Sequence, residues 1–214
     1  MTDVLALDQL GPGALSAPRV DKVREALAGT PAWLVGGAMR DIALQREVND
    51  LDVAVAGPPA APARAIARDL GGVAFELSEE FPAWRVKDRE DAWQVDLAQL
   101  RADRIEGDLA LRDFTVGAIA TDLTSGEVLD PLGGLEDLRA GVIRACGPAS
   151  FRDDPLRLMR AARLVSQFGW RIDQETVLLA RQESPRSSEP AGERSLAELL
   201  LLIGGRDPLA GLSA

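Results

Sequence analysis

The stretch Trp33-Leu34-Val35-Gly36-Gly37-Ala38-Met39-Arg40-Asp41, followed by Asn49-Asp50-Leu51-Asp52-Val53, constrains this chain more than any other. It reads as a short apolar strand, a Gly-Gly turn opening a helix, and a second strand carrying two carboxylates one residue apart. Side chains alternate across a strand, so Asp50 and Asp52 face the same side and can hold one metal site between them. Gly36 and Gly37 allow close approach of the main chain to a ligand, and the helix after them offers N–H groups and a positive dipole end to a phosphate. A Gly-Gly pair alone is usually only a turn, and paired acids also occur on exposed strand faces. Their combination is what narrows the chemistry.

Histidine is absent, which removes the commonest general base and the commonest zinc ligand. Chemistry here must run on carboxylates, arginine and main-chain groups, and such oxygen donors suit hard cations such as Mg²⁺. A net charge of -10 argues against a broad basic surface able to grip nucleic acid unaided. Locally the balance reverses: from Arg152 to Arg181, six arginines face four acids, Asp153, Asp154, Asp173 and Glu175. Arginine suits planar, two-pronged contacts to phosphates and bases. No apolar run approaches the roughly 20 residues of a membrane span, and Met1 to Asp8 lacks the features of a secretory signal. The single Cys146 cannot form an internal disulfide and is expected to be a small buried hydrophobe. Trp33, Trp84, Trp93 and Trp170 are expected in packing. The location expected is cytoplasmic.

Hydrophobic periodicity predicts helices over 19–27, 38–44 and 61–70, and strands over 31–35, 51–55, 73–77, 83–87 and 93–97. A polar connection over 100–108 and a segment 110–120 that starts helical lead back to the sheet. Asp130-Pro131-Leu132-Gly133-Gly134 is a turn before a short helix and a strand at 142–145. Beyond Pro148, residues 154–168, 173–181 and 193–203 are helical in period with no strand signal, and 183–192 is disorder-prone in composition. The fold class expected is α/β (α+β): a small mixed β-sheet flanked by helices, then an all-helical neck. The division expected is a loose lead-in over 1–16, a head domain over 17–147 and a neck over 148–214.

A third acid, Asp96, lies on a later strand between Val95 and Leu97. The order apolar, Gly-Gly, twelve residues, Asp, apolar, Asp resembles the signature of the nucleotidyltransferase superfamily. In nucleotidyl transfer two cations ~4 Å apart activate the attacking hydroxyl and neutralise the leaving oxygens. Asp50 and Asp52 would bridge both ions and Asp96 would complete the site. Three acids so close repel one another strongly without a cation.

Further motifs narrow the resemblance. Gly36 to Asp41 with Asp50 and Asp52, Leu111-Arg112-Asp113-Phe114-Thr115, Asp130 to Leu138, Asp153-Asp154-Pro155-Leu156-Arg157-Leu158-Met159-Arg160-Ala161-Ala162-Arg163, and Gly192-Glu193-Arg194 with Glu198-Leu199 resemble, in order, the motifs of the bacterial class II tRNA nucleotidyltransferase and poly(A) polymerase family. The resemblance implies that Gly36, Gly37 and Arg40 hold the triphosphate and that Arg112 and Asp113 contact the ribose. It implies that Asp154 and Arg157 read the base edge, with Arg160 and Arg163 also in the nucleotide site. Asp154 and Arg157 lie three apart, hence on one helix face, an acceptor beside a forked donor. The plainer reading is that Asp154 caps the helix, with Pro155 at its first position and Arg157 pairing back to it.

The function implied is template-independent addition of CMP and/or AMP, from CTP or ATP and two Mg²⁺ ions, to an RNA 3′ end, most naturally tRNA, with release of pyrophosphate. Three departures stand out. Leu111 replaces a charge and Gly117 replaces an Asn. Fifteen residues separate Asp96 from Arg112, as in members that add only the two cytidines. The chain also stops where longer relatives enter helical domains that hold tRNA; an artificial boundary, a natural truncation, or a partner chain or oligomer that supplies RNA binding are the alternatives. The alternative expectations are a catalytically weak nucleotide- or RNA-binding module and, less well matched, a small-molecule nucleotidyltransferase.

Overall fold

The computed structural model describes residues 18–78, 81–90 and 92–214; the lead-in expected over 1–16 lies outside them. Two compact units emerge. A sheet unit holds the described residues up to Leu109 together with Ile119–Pro131, and a helical unit holds Ala110–Ala118 and Leu132–Ala214.

In the sheet unit, α1 (Pro18–Ala26) buries Val20 and Val23, one turn apart, with Leu27 just beyond its end. Strand β1 (Ala32–Val35) runs into α2 (Gly36–Ala43) through Gly36 at φ +71°, a conformation natural to glycine and costly for other residues. β2 (Asp50–Val55) begins exposed at Asp50 and becomes fully buried over Val53, Ala54 and Val55, the pattern of a central strand covered on both faces. α3 (Ala60–Leu70) packs through Ala63, Ile66 and Ala67 and ends on Gly71 in the left-handed region. Then come β3 (Val73–Ser78), β4 (Ala83–Lys87), β5 (Gln94–Gln99), α4 (Ile105–Ala110), β6 (Ala120–Asp122) and β7 (Val128–Leu129).

The seven strands form one sheet in the order β3-β4-β5-β2-β1-β6-β7. β2 and β5 are parallel and every other neighbouring pair is antiparallel, the mixed sheet expected from the sequence. A parallel pair needs a long crossover, and α3, β3 and β4 supply it. The expected polar connection over 100–108 is more ordered than composition suggests. Asp108 is buried and accepts hydrogen bonds from the Arg101 N–H and Nε at 3.1 and 3.0 Å.

The helical unit contains α5 (Gly134–Ala140), β8 (Val142–Ile143), α6 (Ser150–Asp153), α7 (Arg157–Phe168), β9 (Arg171–Ile172), α8 (Gln174–Glu183), α9 (Gly192–Ile203) and α10 (Pro208–Ser213). Three expectations need correction. The region beyond 148 is not all-helical: β9 pairs in parallel with β8, a ladder of two residues per strand, too short to leave a periodic signal. The helix expected over 154–168 is found but starts later, at Arg157, because Pro155 disfavours helical geometry in the residue before it. Asp154 is accordingly extended at φ -146°, ψ 101° between α6 and α7. The segment 183–192 forms a turn in which Arg186 pairs with Glu183 and Glu189 at 3.2 and 2.8 Å and donates to the Arg152 carbonyl at 2.9 Å.

By compactness, Ala110–Ala118 and residues 132–147 group with the helices that follow. Asp137 on α5 is buried, accepts from Thr115 Oγ1 at 2.7 Å and pairs with Arg144 at 3.0 Å, while the Arg144 carbonyl accepts from the Thr115 N–H at 2.9 Å. Leaving this network half-made would strand buried polar groups, so it ties 110–118 to 132–147, and the pairs of Arg144 with Asp173 at 2.9 Å and of Asp113 with Arg160 at 2.8 Å tie both segments to the helices that follow.

Candidate active site

The carboxylate face of the sheet unit is set by register. Asp52 lies directly opposite Asp96 across the parallel β2–β5 pair, and Asp50 lies opposite Gln94 one row away. Opposed residues share a face, as do residues two apart on one strand, so Asp50, Asp52 and Asp96 stand together on one side of the sheet. Leu51, Val53, Val95 and Leu97, which alternate with them, are buried, so apolar anchors lock the register. Before Asp50, Arg19 donates to the Val48 and Asn49 carbonyls and to Asn49 Oδ1 at 3.3–3.4 Å, bracing the entrance to the strand.

A residue that periodicity did not single out completes this face. Arg85 on β4 is the cross-strand partner of Asp96. Its Nε donates to one carboxylate oxygen and its Nη2 to the other, both at 2.7 Å, a two-pronged charge-assisted pair. The hydrogen-bonded fork with Asp96, opposed by partial burial and reinforced by the charges of Asp96, Asp50 and Asp52, holds the Arg85 pKa above its ordinary value. The signal that could have found it was the β4–β5 hairpin: once its turn is placed between Lys87 and Gln94, position 85 falls opposite 96. The donor chemistry of the face, carboxylate oxygens only, fits a hard divalent cation. The side chains do not converge into a ready-made cluster, however. Among the described residues no three acidic, histidine or cysteine side chains are gathered closely enough to hold a metal ion, and both Asp96 oxygens are turned to Arg85.

On the same unit, α2 starts without a capping side chain, and the Arg40 guanidinium lies against Gly37. A Cβ at Gly37 would meet Arg40 Nη2 at 3.4 Å. Arg40 donates to the neighbouring Asp41 carboxylate at 3.0 and 3.2 Å.

The remaining predicted site residues lie in the helical unit. Asp113 is braced on all sides: its carboxylate accepts from Arg160 Nε and from the Phe114 N–H, both at 2.8 Å, and its carbonyl accepts from the Cys146 N–H and Ser150 Oγ. Burial alone would push its pKa up. The charge of Arg160, the Phe114 N–H and the charges of Arg157 and Arg112 outweigh that and hold it below the usual carboxylate value.

The side chains of Asp154 and Arg157 do not pair with each other, which corrects the pairing expected from their spacing, although the Arg157 N–H donates to the Asp154 carbonyl at 3.1 Å. Asp154 accepts from the Leu156 N–H at 3.1 Å and pairs with Arg194 of α9 at 2.7 Å. Arg157 Nη1 donates to the Arg112 carbonyl and to Ser150, and its Nη2 to the Leu111 carbonyl at 2.8 Å. The break at Pro155 rotates Asp154 off the face that Arg157 presents. Arg163 pairs with Glu198 at 2.6 Å, and Arg160 approaches the same carboxylate at 3.8 Å.

Trp33, Trp84 and Trp93 are half-buried and Trp170 is buried, stacked on Phe168 with ring centroids 4.3 Å apart. Cys146 is only half-buried, contrary to expectation, because it lies in the bend between the end of β8 and α6 rather than at a core position. Among the described residues no helix is long and apolar enough to cross a membrane.

A family model described as the poly(A) polymerase head domain matches residues 32–105 and, overlapping, 80–144. The chain belongs to that family. It is similar to a CC-adding tRNA nucleotidyltransferase from Geobacter sulfurreducens, 41% identical over 175 residues that cover 82% of this chain and 41% of the relative. It is also similar to an A-adding tRNA nucleotidyltransferase from Deinococcus radiodurans, 42% identical over 188 residues, covering 85% of this chain and 42% of the relative. Among solved structures, a CCA-adding enzyme in complex with CTP superposes with a TM-score of 0.82 at 28% identity, covering 100% of this chain and 54% of that one. The chain therefore spans less than half the length of these two curated relatives. Within the family, the fold expected from the Gly-Gly and Asp-x-Asp motifs is the fold found.

Proposed function

We propose that this chain carries the nucleotide-transfer chemistry of a template-independent RNA nucleotidyltransferase, adding CMP and/or AMP from CTP or ATP to a tRNA 3′ end in the cytoplasm and releasing pyrophosphate. The observation that carries this reading is the placement of Asp52 opposite Asp96, with Asp50 on the same face of β2. Asp50, Asp52 and Asp96 would hold two Mg²⁺ ions. Held there, Mg²⁺ would supply Lewis acidity for the attacking 3′-hydroxyl and positive charge for the leaving pyrophosphate.

The chain's own residues do the positioning. The main-chain N–H groups at Gly36 and Gly37 and the Arg40 guanidinium bind the triphosphate, as helix starts and arginine forks do for phosphate oxygens. Arg112 and Asp113 contact the ribose, with Asp113 kept ionised by its arginines and so able to accept from a sugar hydroxyl. Asp154 contacts the base edge. Arg157, through its bonds to the Leu111 and Arg112 carbonyls, fixes the segment that carries Arg112 and Asp113, and Arg160 and Arg163 complete the arginine-rich surround. With a net charge of -10, a firm grip on tRNA calls for further domains or a partner chain.

The test is incubation of the chain with Mg²⁺, labelled CTP or ATP, and tRNA ending before, within or after CCA. The fifteen-residue Asp96–Arg112 connection leads us to expect two CMP additions and poor use of ATP, with incorporation falling to background in Asp50→Ala plus Asp52→Ala. No incorporation by the unaltered chain at high concentration refutes the proposal, and incorporation that survives the double substitution refutes the metal assignment. A second reading, a nucleotide-binding module without turnover, is favoured by two particulars: Leu111, 44% exposed where the family carries a charge, and Gly117 in place of an amide. CTP binding by calorimetry without incorporation would select it.

A further inference from the structure

We infer that Arg85 is the built-in counter-ion of the carboxylate face: it holds Asp96 while no divalent cation is bound, and cation binding requires Asp96 to leave it, so Arg85 sets the metal affinity of the site. This rests on the metal-dependent reading proposed above.

Asp50, Asp52 and Asp96 place three negative charges on one face of two adjacent strands, an arrangement that repels itself unless a cation is present. Arg85 is the cation that the backbone itself supplies. It is not on a flexible loop but at a register position of β4, with Val86 beside it fully buried, so its Cα cannot drift from Asp96 without breaking the hairpin. Its fork takes one hydrogen bond on each Asp96 oxygen, both at 2.7 Å, the tight geometry of a matched guanidinium–carboxylate pair. The pair is only partly exposed, at 32% and 22% of the side-chain surface, so water screens it incompletely.

The same geometry limits the metal. An Asp96 carboxylate oriented by Arg85 is directed towards β4, while its proposed role requires it to turn towards Asp52 on β2. Moving it exchanges two short charge-assisted hydrogen bonds for oxygen–metal contacts, and the guanidinium, which stays protonated, must find other acceptors or water. A divalent cation arriving beside a fixed positive charge also meets direct repulsion. Both effects weaken cation binding, and both vanish if position 85 is neutral. Without Arg85, the three acids would repel one another in the metal-free protein and become more dependent on the cation. Arg85 is thus a positioning residue, one that trades metal affinity for a carboxylate face that stays folded when empty.

The experiment is calorimetric titration of Mg²⁺ into the full chain, into Arg85→Gln and Arg85→Lys, and into Asp50→Ala plus Asp52→Ala, with thermal unfolding of each at zero and saturating Mg²⁺. We expect Arg85→Gln to bind Mg²⁺ about tenfold more tightly, to melt lower than the unaltered chain without Mg²⁺, and to gain more from its addition. Arg85→Lys, which keeps the charge but loses the fork, should fall between them and provides the comparison should Arg85→Gln fold poorly. A structural role alone would lower the melting temperature equally at every Mg²⁺ concentration. Unchanged or weaker Mg²⁺ affinity in both Arg85 variants, with binding still abolished by the double aspartate substitution, overturns the counter-ion role and leaves the metal site standing. Mg²⁺ binding unaffected by the double aspartate substitution overturns the metal site itself, and the inference with it.

Discussion

Asp113→Asn isolates the charge at the centre of the arginine cluster of the helical unit while preserving an acceptor for the Phe114 N–H. A full charge pair at about 4 Å in a medium of effective dielectric about 20 interacts by about 4 kcal/mol, but two corrections reduce this. Burial of Asp113 works against its ionised form, and Arg160 is 40% exposed, so solvent screens the pair. A net loss of about 1–2 kcal/mol at pH 7 is expected, between the values for surface and buried pairs. The pH dependence follows from the direction of the shift. Asp113 has a folded pKa below its ordinary value, so the stability it contributes is present above the unfolded value of about 3.9 and disappears as the pH falls through the lower folded value. Urea unfolding of both proteins at pH 7 and at successive pH values below 4 should therefore show a gap that narrows with acidification. A gap of the same size at pH 7 and pH 3, or none at pH 7, would mean that the arginines do not stabilise the ionised carboxylate, and the reasoning would fail.

Two further substitutions separate positioning from fold stability. Gly37→Ala places a methyl group 3.4 Å from Arg40 Nη2, the mobile end of a side chain; unfolding should shift by under about 1 kcal/mol while the KM for CTP rises, and a large stability loss with unchanged KM would contradict the triphosphate role. Arg157→Lys gives up a planar fork that spans the Leu111, Arg112 and Ser150 carbonyls, so stability should fall by about 1–3 kcal/mol with the CTP-to-ATP preference unchanged; a changed preference at unchanged stability would return Arg157 to direct base reading.

How much of this was legible in advance can be read from single elements. β4 was expected over 83–87 and is found there, because Ala-Trp-Arg-Val-Lys alternates cleanly between two turns. The Gly36–Gly37 start of α2 and the Asp50–Asp52 strand were equally plain, since a glycine turn and a period-two pattern are local. The two-residue β9 was not, because a strand that short has no period. The pairing of Asp154 with Arg194 joins residues forty positions apart, and nothing in the spacing of either pointed to the other.

The sequence by itself determined the family, the alternation of the sheet strands and the identity of the three acids, because these depend on local pattern and on a motif order that few chains share. Only the tertiary structure decided which strands are neighbours. That choice aligned Asp52 with Asp96, placed Arg85 on the far side of Asp96, and gave Arg157 to main-chain carbonyls rather than to Asp154. Register across a sheet and the filling of buried polar groups depend on the whole packed unit, and side-chain partners follow from them.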